Sequence, residues 1–347
     1  MNNPSLAVVI LNWNGKPLLE QFLPEVLANS LYPNVRVIVA DNASTDGSRE
    51  FLNEKFPAVH TIVLDRNYGF AGGYNKALAA LDDDYFILLN SDAVPEKEWL
   101  AGMFEFIAGH GHIDAAMPKI KSYKQPSCFE YAGAAGGFID QYGFPFCRGR
   151  ILDTIEEDLG QYDRPTEIFW ASGAALLINS NLYKELGGLD EDFFAHMEEI
   201  DLCWRIKNKG GKIWYIPQSI VYHVGGASLH QSHPRKTYLN FRNNLYMLYK
   251  NLPSAHLFTT LFSRMILDGA AALQFLSAFK FGFFFAVLKA HLSFYAHLPR
   301  LISKRRKLGP NRLWNFHPQI FAGSIAWCYY AKRFKKFSQL PFTGLAE

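Results

Sequence analysis

Residues 5–44 read SLAVVILNWNGKPLLEQFLPEVLANSLYPNVRVIVADNAS, and how this stretch divides decides the fold. Residues 6–11 are an uncharged apolar run rich in β-branched side chains, which reads as a buried strand, and VRVIVAD reads as a second. Between them GKPLLEQFLPEVLANS has helical periodicity. The opening is therefore strand, helix, strand, a βαβ unit on a parallel sheet. VHTIVLD, GGYNKALAAL and YFILLNSDAV repeat the alternation.

The remaining pattern predicts an α/β domain over residues 1–252 and an apolar helical region with a basic tail over 253–347. A chain of 347 residues can bury a sizeable core in either part. Residues 120–164 loosen into Gly, Pro and aromatic residues and read as long loops or an irregular insertion. EIFWASGAALLIN reads as one strand, HMEEIDLCWRIKNKG as a helix, and KIWYIPQSIVYHVGG as two short strands. After Pro253 the apolar and aromatic segments are interrupted by Arg264, Asp268, Lys280 and Lys289, so no uninterrupted run reaches the roughly 18 residues of a spanning helix.

Charge is distributed unevenly. Residues 269–347 hold 12 Lys and Arg against one acid, or +11, while the preceding residues hold 23 against 31, or −8. Aromatic helices punctuated by Lys and Arg suit attachment to an anionic membrane surface; the competing reading is a helical subdomain packed on the first domain with a solvated basic face. Without a recognition motif, nucleic acid is not an expected partner. Cys128, Cys147, Cys203 and Cys328 are too scattered for a disulfide framework or a zinc site, and residues 1–15 lack a basic leader. The expected location is cytoplasmic, peripheral on the inner face of the cell membrane.

Several polar residues fall where such a sheet binds ligands, beyond the carboxyl ends of its strands. Asp41 in VADNASTDGS is placed to accept from a base or ribose, while Asn42, Ser44 and Thr45 can equally cap the next helix. Trp13 is either a stacking platform or a core filler. The Gly-rich DRNYGFAGGYNKAL offers backbone amides to a phosphate, or else a tight turn under a closely packed helix. Asp92 in LLNSDAV can hold a divalent cation only with help from a diphosphate and another ligand, for which His223 in VYHVGG is one candidate. In HMEEIDLCWR, Asp201 and Arg205 sit at i,i+4 and suit a salt bridge, leaving Glu198 and Glu199 as either general-base candidates or an ordinary acidic helix start.

In this order VVILNWNG, VADNASTDGS, NYGFAGGYNKAL, LLNSDAV, WASGAALLI, GGLDEDFFAHMEEIDLCWR, VYHVGG and RNNLYMLYKN resemble the family-2 glycosyltransferases of GT-A fold, and look most like their bacterial rhamnosyltransferase-like branch. The resemblance runs collinearly over residues 6–251. It implies a Rossmann-like, mostly parallel sheet flanked by helices, and transfer with inversion from a nucleoside-diphosphate sugar, dTDP-rhamnose among the donors, to a saccharide or lipid-linked saccharide acceptor. By position it implies donor contacts from Asn12, Trp13, Asp41, Asn67, Gly72, Gly73, Asn75, Asn90, Ser91 and Gly173. Asp92 matches the last acid of the DxD motif that binds Mg²⁺ or Mn²⁺, with Asn90 in place of its first acid, and His223 matches a histidine that completes the metal site in some members. Glu199 matches the base, with Glu198 beside it. A sugar nucleotidyltransferase would need a Gly-rich basic N-terminal loop that LNWNGKPLLE lacks. A decayed, non-catalytic sugar-binding relative is the remaining alternative.

Overall fold

The computed structural model describes residues 3–225, 233–309 and 317–342. Among these, nine strands form the main sheet: β1 (Leu6–Asn12), β2 (Val35–Asp41), β3 (His60–Val63), β4 (Tyr85–Asn90), β5 (Ala93–Pro95), β6 (Ala115–Ser122), β11 (Thr166–Ile168), β12 (Ala175–Asn179) and β13 (Ile213–His223). The order is β11-β13-β6-β12-β4-β1-β2-β3, with β5 on β13. Strands β3, β2, β1 and β4 are parallel, as the opening βαβ pattern requires. Beyond β4 the sheet is mixed, because β12 runs antiparallel to both of its neighbours.

Burial on both faces explains why β1 is apolar throughout. Leu6, Val8 and Ile10 pack with Leu19, Leu23 and Val26 of α1 (Lys16–Asn29) and with Trp99 and Met103 of α4 (Trp99–His110). Ala7 and Val9 point the other way, toward Ala71, Tyr74 and Ala77 of α3 (Gly69–Leu78). Truncating any of the larger of these side chains to alanine costs about 2–5 kcal/mol. Register places Asn12 opposite Asp41 and Leu11 opposite Asn90, so β1, β2 and β4 end together at one edge.

Three elements differ from expectation. Part of the stretch read as loops, residues 120–164, belongs to a second, five-stranded sheet, β10-β9-β8-β7-β14, from β7 (Gly137–Asp140), β8 (Pro145–Cys147), β9 (Arg150–Ile151), β10 (Thr154–Ile155) and β14 (Ile320–Phe321). Strands of two to four residues are too short to show a period of two. The single strand read in residues 167–179 is two, β11 and β12, divided by a turn that reaches the site. The two short strands read in residues 212–226 are instead one, β13, bulged between Ile216 and Ile220. Pro217 within the bulge has no amide to give the ladder.

Helices α2 (Ser48–Lys55), α5 (Ser180–Glu185) and α6 (Glu198–Asn208) complete the flanks, and α7 (Pro234–Asn251) leads to the long α8 (Ser254–Ser277) and α9 (Phe281–Lys307). A short α10 (Ile325–Tyr330) follows β14, which pairs with β7 and returns the tail to the second sheet. Helix α9 lies along α7 and α8. Its 27 residues make it, among the described residues, the one helix long and apolar enough to cross a membrane, with 22% of its most apolar window buried. Lys289 interrupts that helix in sequence without lowering its length or mean hydropathy below what a span needs.

Candidate active site

The ends of β1 and β2 are organised by side-chain bonds. Asn12 Nδ2 donates to Asp41 Oδ1 (3.2 Å), and the Ser44 amide donates to Asp41 Oδ2 (3.0 Å). Asp41 and Asn12 are fully buried, and Asn12 Oδ1 has no partner among the described residues. Trp13 is 57% exposed beside them. It fills no core, and its ring is available to a planar ligand. Asn42, Ser44 and Thr45 do not cap α2, which starts after Gly47 without a side-chain cap. Asn42 reaches across instead, donating to Asn67 Oδ1 (3.1 Å) and the Gly69 carbonyl (3.0 Å) and accepting from the Tyr68 amide (2.9 Å). Asn67 in turn accepts from the Gly69 amide (2.8 Å).

The glycines that follow serve close packing. A Cβ on Gly73 would stand 2.8 Å from Leu11 of β1, and one on Gly72 would stand 3.0 Å from Tyr68 Cβ. Both lie inside α3 and not in the turn before it, whose Tyr68, Gly69 and Phe70 amides are already given to Asn42, Asn67 and the Phe194 carbonyl. Asn75 departs further from a donor contact. Its Oδ1 accepts from Tyr183 Oη (2.7 Å) and the Leu189 amide (2.9 Å), while Nδ2 donates to the Leu189 carbonyl (2.8 Å). That amide is committed to pinning residues 183–189.

Ser91 and Asp92 form the turn between β4 and β5, and pairing of Ala93 with His223 sets Asp92 beside the imidazole that ends β13. Asp92 Oδ1 lies 3.0 Å from His223 Nε2, and the side-chain Nδ2 of Asn90 lies 3.3 Å from the same atom. Glu130, which sequence reasoning missed, stands on the opposite ring nitrogen, with Oε2 3.2 Å from Nδ1. All three ionisable groups are buried. Burial opposes a charge on His223, but the hydrogen bonds to Asp92 and then Glu130 outweigh it and push the imidazole up to about 10. Among the described residues no three His, Cys, Asp or Glu side chains converge as a metal cluster. The Asp92 and His223 atoms nevertheless suit two neighbouring ligands of an octahedral ion, since bonds of about 2.1 Å at right angles separate such ligands by about 3.0 Å. Remaining positions would fall to water and a diphosphate.

Glu198 and Glu199 open α6, which follows a turn with Phe194, His196 and Met197 all at positive φ (65°, 70° and 71°). Such backbone costs non-glycine residues about 1–3 kcal/mol each and persists only where surroundings enforce it. Glu198 is buried; Glu199 is partly exposed, and each has an Oε2 without a partner among the described residues. Burial raises the Glu199 carboxyl to about 7 against three backbone amides at the helix start, and burial together with Glu199 raises Glu198 well above the carboxylate range. Asp201 makes the expected pair with Arg205 (2.9 Å). A Cβ on Gly173 would stand 3.8 Å from Glu199, and the next residue's carbonyl, Ala174, accepts from the Asn90 amide (3.0 Å). The turn before β12 thus joins the glutamates to the Asn90–Asp92 turn.

Two raised carboxyls face a carboxylate–imidazole pair across one turn, beside an exposed indole at the strand ends. Residues 7–134 match the family described as Glycosyl transferase family 2. That match runs from β1 to just beyond β6. The chain is 27% identical over 253 residues to the N-acetylglucosaminyl-diphospho-decaprenol L-rhamnosyltransferase of Mycobacterium tuberculosis, covering 63% of the present chain and 75% of the relative. Its fold is that of GT-A enzymes. It resembles a mannosyltransferase from Pyrobaculum calidifontis solved with GDP-Man and Mn²⁺, with a TM-score of 0.52 at 15% identity over 85% of this chain and 88% of that one. It also resembles GalNAc-T7 solved with UDP, GalNAc and Mn²⁺, with a TM-score of 0.57 at 17% identity over 72% of this chain, spanning only about half (49%) of that one.

Proposed function

We propose that this chain is a glycosyltransferase that inverts configuration as it moves a rhamnose-type deoxysugar from a nucleoside diphosphate to a lipid-linked saccharide in cell-surface polysaccharide assembly. The observation that carries the reading is the division of labour across residues 172–174: a raised, partly exposed Glu199 on one side and the Asp92–His223 pair on the other. The name of the mycobacterial relative supports the rhamnosyl donor and the lipid-diphosphate acceptor.

Glu199, with a carboxyl near 7, is matched to taking a proton at neutral pH. It accepts the proton of the acceptor hydroxyl while that oxygen bonds to the anomeric carbon. The bond from that carbon to the diphosphate breaks and its electron pair leaves with the diphosphate. Direct attack by the acceptor oxygen, with one carboxylate as base, is a single displacement, hence inversion. Glu198, more deeply buried and raised further above the carboxylate range by burial and by Glu199, stands beside the base as the fallback. Mg²⁺ or Mn²⁺ held by Asp92 and His223 would neutralise charge developing on the leaving group. Trp13 stacks on the base, and the buried Asn12–Asp41 pair borders it.

Peripheral attachment to an anionic membrane belongs to the same reading. Phe281, Phe285, Leu288, Leu292 and Tyr295 of α9 are exposed at alternating spacings of four and three, and Phe258, Phe262 and Ile266 line α8 similarly. The solvent-facing stripe is therefore apolar, whereas several basic residues turn inward. Arg305, for example, donates to the carbonyls of Tyr249 (2.6 Å) and Leu252 (2.7 Å).

The test is transfer from dTDP-rhamnose, with Mn²⁺, to an N-acetylglucosaminyl-diphospho-polyprenol, with the anomeric configuration of the product read by NMR. Retained configuration sinks the single displacement, and no transfer from any deoxysugar donor sinks the donor class. Co-flotation with phosphatidylglycerol vesicles but not with phosphatidylcholine vesicles is expected, and failure to float with either removes the membrane part.

A further inference from the structure

The turn that delivers the two glutamates is gripped from behind by side chains remote in sequence. Arg242 Nη2 of α7 donates to the carbonyls of Asp192 (3.0 Å) and Phe193 (2.9 Å). Asn243 Nδ2 faces those of Phe193, Ala195 and His196 at 3.0, 2.9 and 2.7 Å, sharing two hydrogens among three acceptors. Lys250 Nζ ties Asp190, ahead of the turn, to Asp201, beyond the glutamates, at 2.5 and 2.8 Å. The grip is completed from α9. Arg300 pairs with Asp192 at 2.6 Å, and Lys304 pairs with Asp192 at 2.5 Å and also with Asp190.

We propose that Arg300 and Lys304 of α9, acting through Asp190 and Asp192, are positioning residues for the Glu198–Glu199 base. This rests on the assignment of that base above. Three left-handed, non-glycine residues in four positions do not hold their conformation unaided, and backbone of that kind is kept only where the surroundings over-determine it. Asp190 and Asp192 are mostly buried, so their pairs with Lys304 are screened less than surface pairs are. The lysines hold Asp190 well below the ordinary carboxylate range, though burial opposes this. One face of α9 is thus an exposed apolar stripe, and another is an anchor for the turn that carries the base. The C-terminal helices belong to the catalytic apparatus and are not only an attachment.

The experiment uses the full chain and compares Lys304→Met, Lys304→Arg and Asp192→Asn. Hydrogen exchange of residues 193–199 is read by mass spectrometry, together with kcat and donor KM for sugar transfer. Lys304→Met is expected to speed exchange in 193–199 about tenfold while β1 and β4 stay protected. It should lower kcat about 10–100-fold with donor KM held within about twofold. Lys304→Arg should restore most of both, and Asp192→Asn should loosen the same segment from the other side. Unchanged exchange and unchanged kcat in Lys304→Met and Asp192→Asn overturn the proposal. So does a loss spread evenly over the core, which marks ordinary destabilisation. If Glu198→Gln and Glu199→Gln both keep transfer, the base assignment fails, and the exchange data still decide whether α9 holds the turn.

Discussion

Asp92 Oδ1 and His223 Nε2 approach to 3.0 Å at the joint between β5 and β13, with Glu130 on the far side of the imidazole. Two acids on one ring keep it cationic without a metal. A divalent ion taking Nε2 must expel that proton, so binding should release about one proton per ion near neutral pH and tighten as pH rises. Titration calorimetry of Mn²⁺ in buffers of different ionisation enthalpy measures this. A heat independent of the buffer excludes His223 as a ligand. Asp92→Asn should weaken binding at least about tenfold, and Asn90→Ala much less.

Glu199→Gln separates chemistry from stability. Below about pH 4.5 the carboxyl is protonated both folded and unfolded. As pH rises from there to about 7 the unfolded chain gives up its proton first, so this group lowers stability across that window and keeps it lowered above. The variant should therefore be more stable than the parent around pH 8, by on the order of 1–2 kcal/mol, with the gap closing toward pH 4.5. Transfer should fall at least about 100-fold. Thermal melts across pH check the first part. Equal melting temperatures at pH 8 would mean that Glu199 is not raised.

Trp13→Ala should leave the fold within about 0.5 kcal/mol of the parent, because the ring is exposed. Donor affinity should drop about 5–100-fold, the worth of one stacked base. Donor KM and melting temperature measured on the same preparation test the pair of statements, and an unchanged KM removes Trp13 from the base platform.

Asn75→Ala should behave in the opposite way. Its amide bonds Leu189 twice and Tyr183 once, so its loss should cost about 1–3 kcal/mol in urea unfolding while the affinity of the refolded protein for donor stays within a few-fold.

Gly173→Ala has room, with its nearest neighbours at 3.6 Å (Phe70) and 3.8 Å (Glu199). It should fold normally and slow transfer, since the new methyl group sits against the base. Gly73→Ala would meet Leu11 at 2.8 Å and should destabilise the fold instead.

The sequence by itself determined the parallel half of the sheet, the strand ends that carry Asn12, Asp41 and Asn90, and the i,i+4 pair of Asp201 with Arg205. Period, charge and β-branching are local properties, and strands buried on both faces leave them plainly visible. It could not place Glu130, which no motif marks and which meets His223 93 positions later. Nor could it tell that Gly72 and Gly73 pack a helix while the neighbouring turn faces the ligand edge, or that Asn42 braces residues 67–69 and caps nothing. Tertiary structure alone decided these points. It also decided that Lys304 lies against Asp190 and Asp192, because pairing between groups more than a hundred residues apart depends on how α7 and α9 stack on the turn ahead of α6, and no local pattern in the chain encodes that.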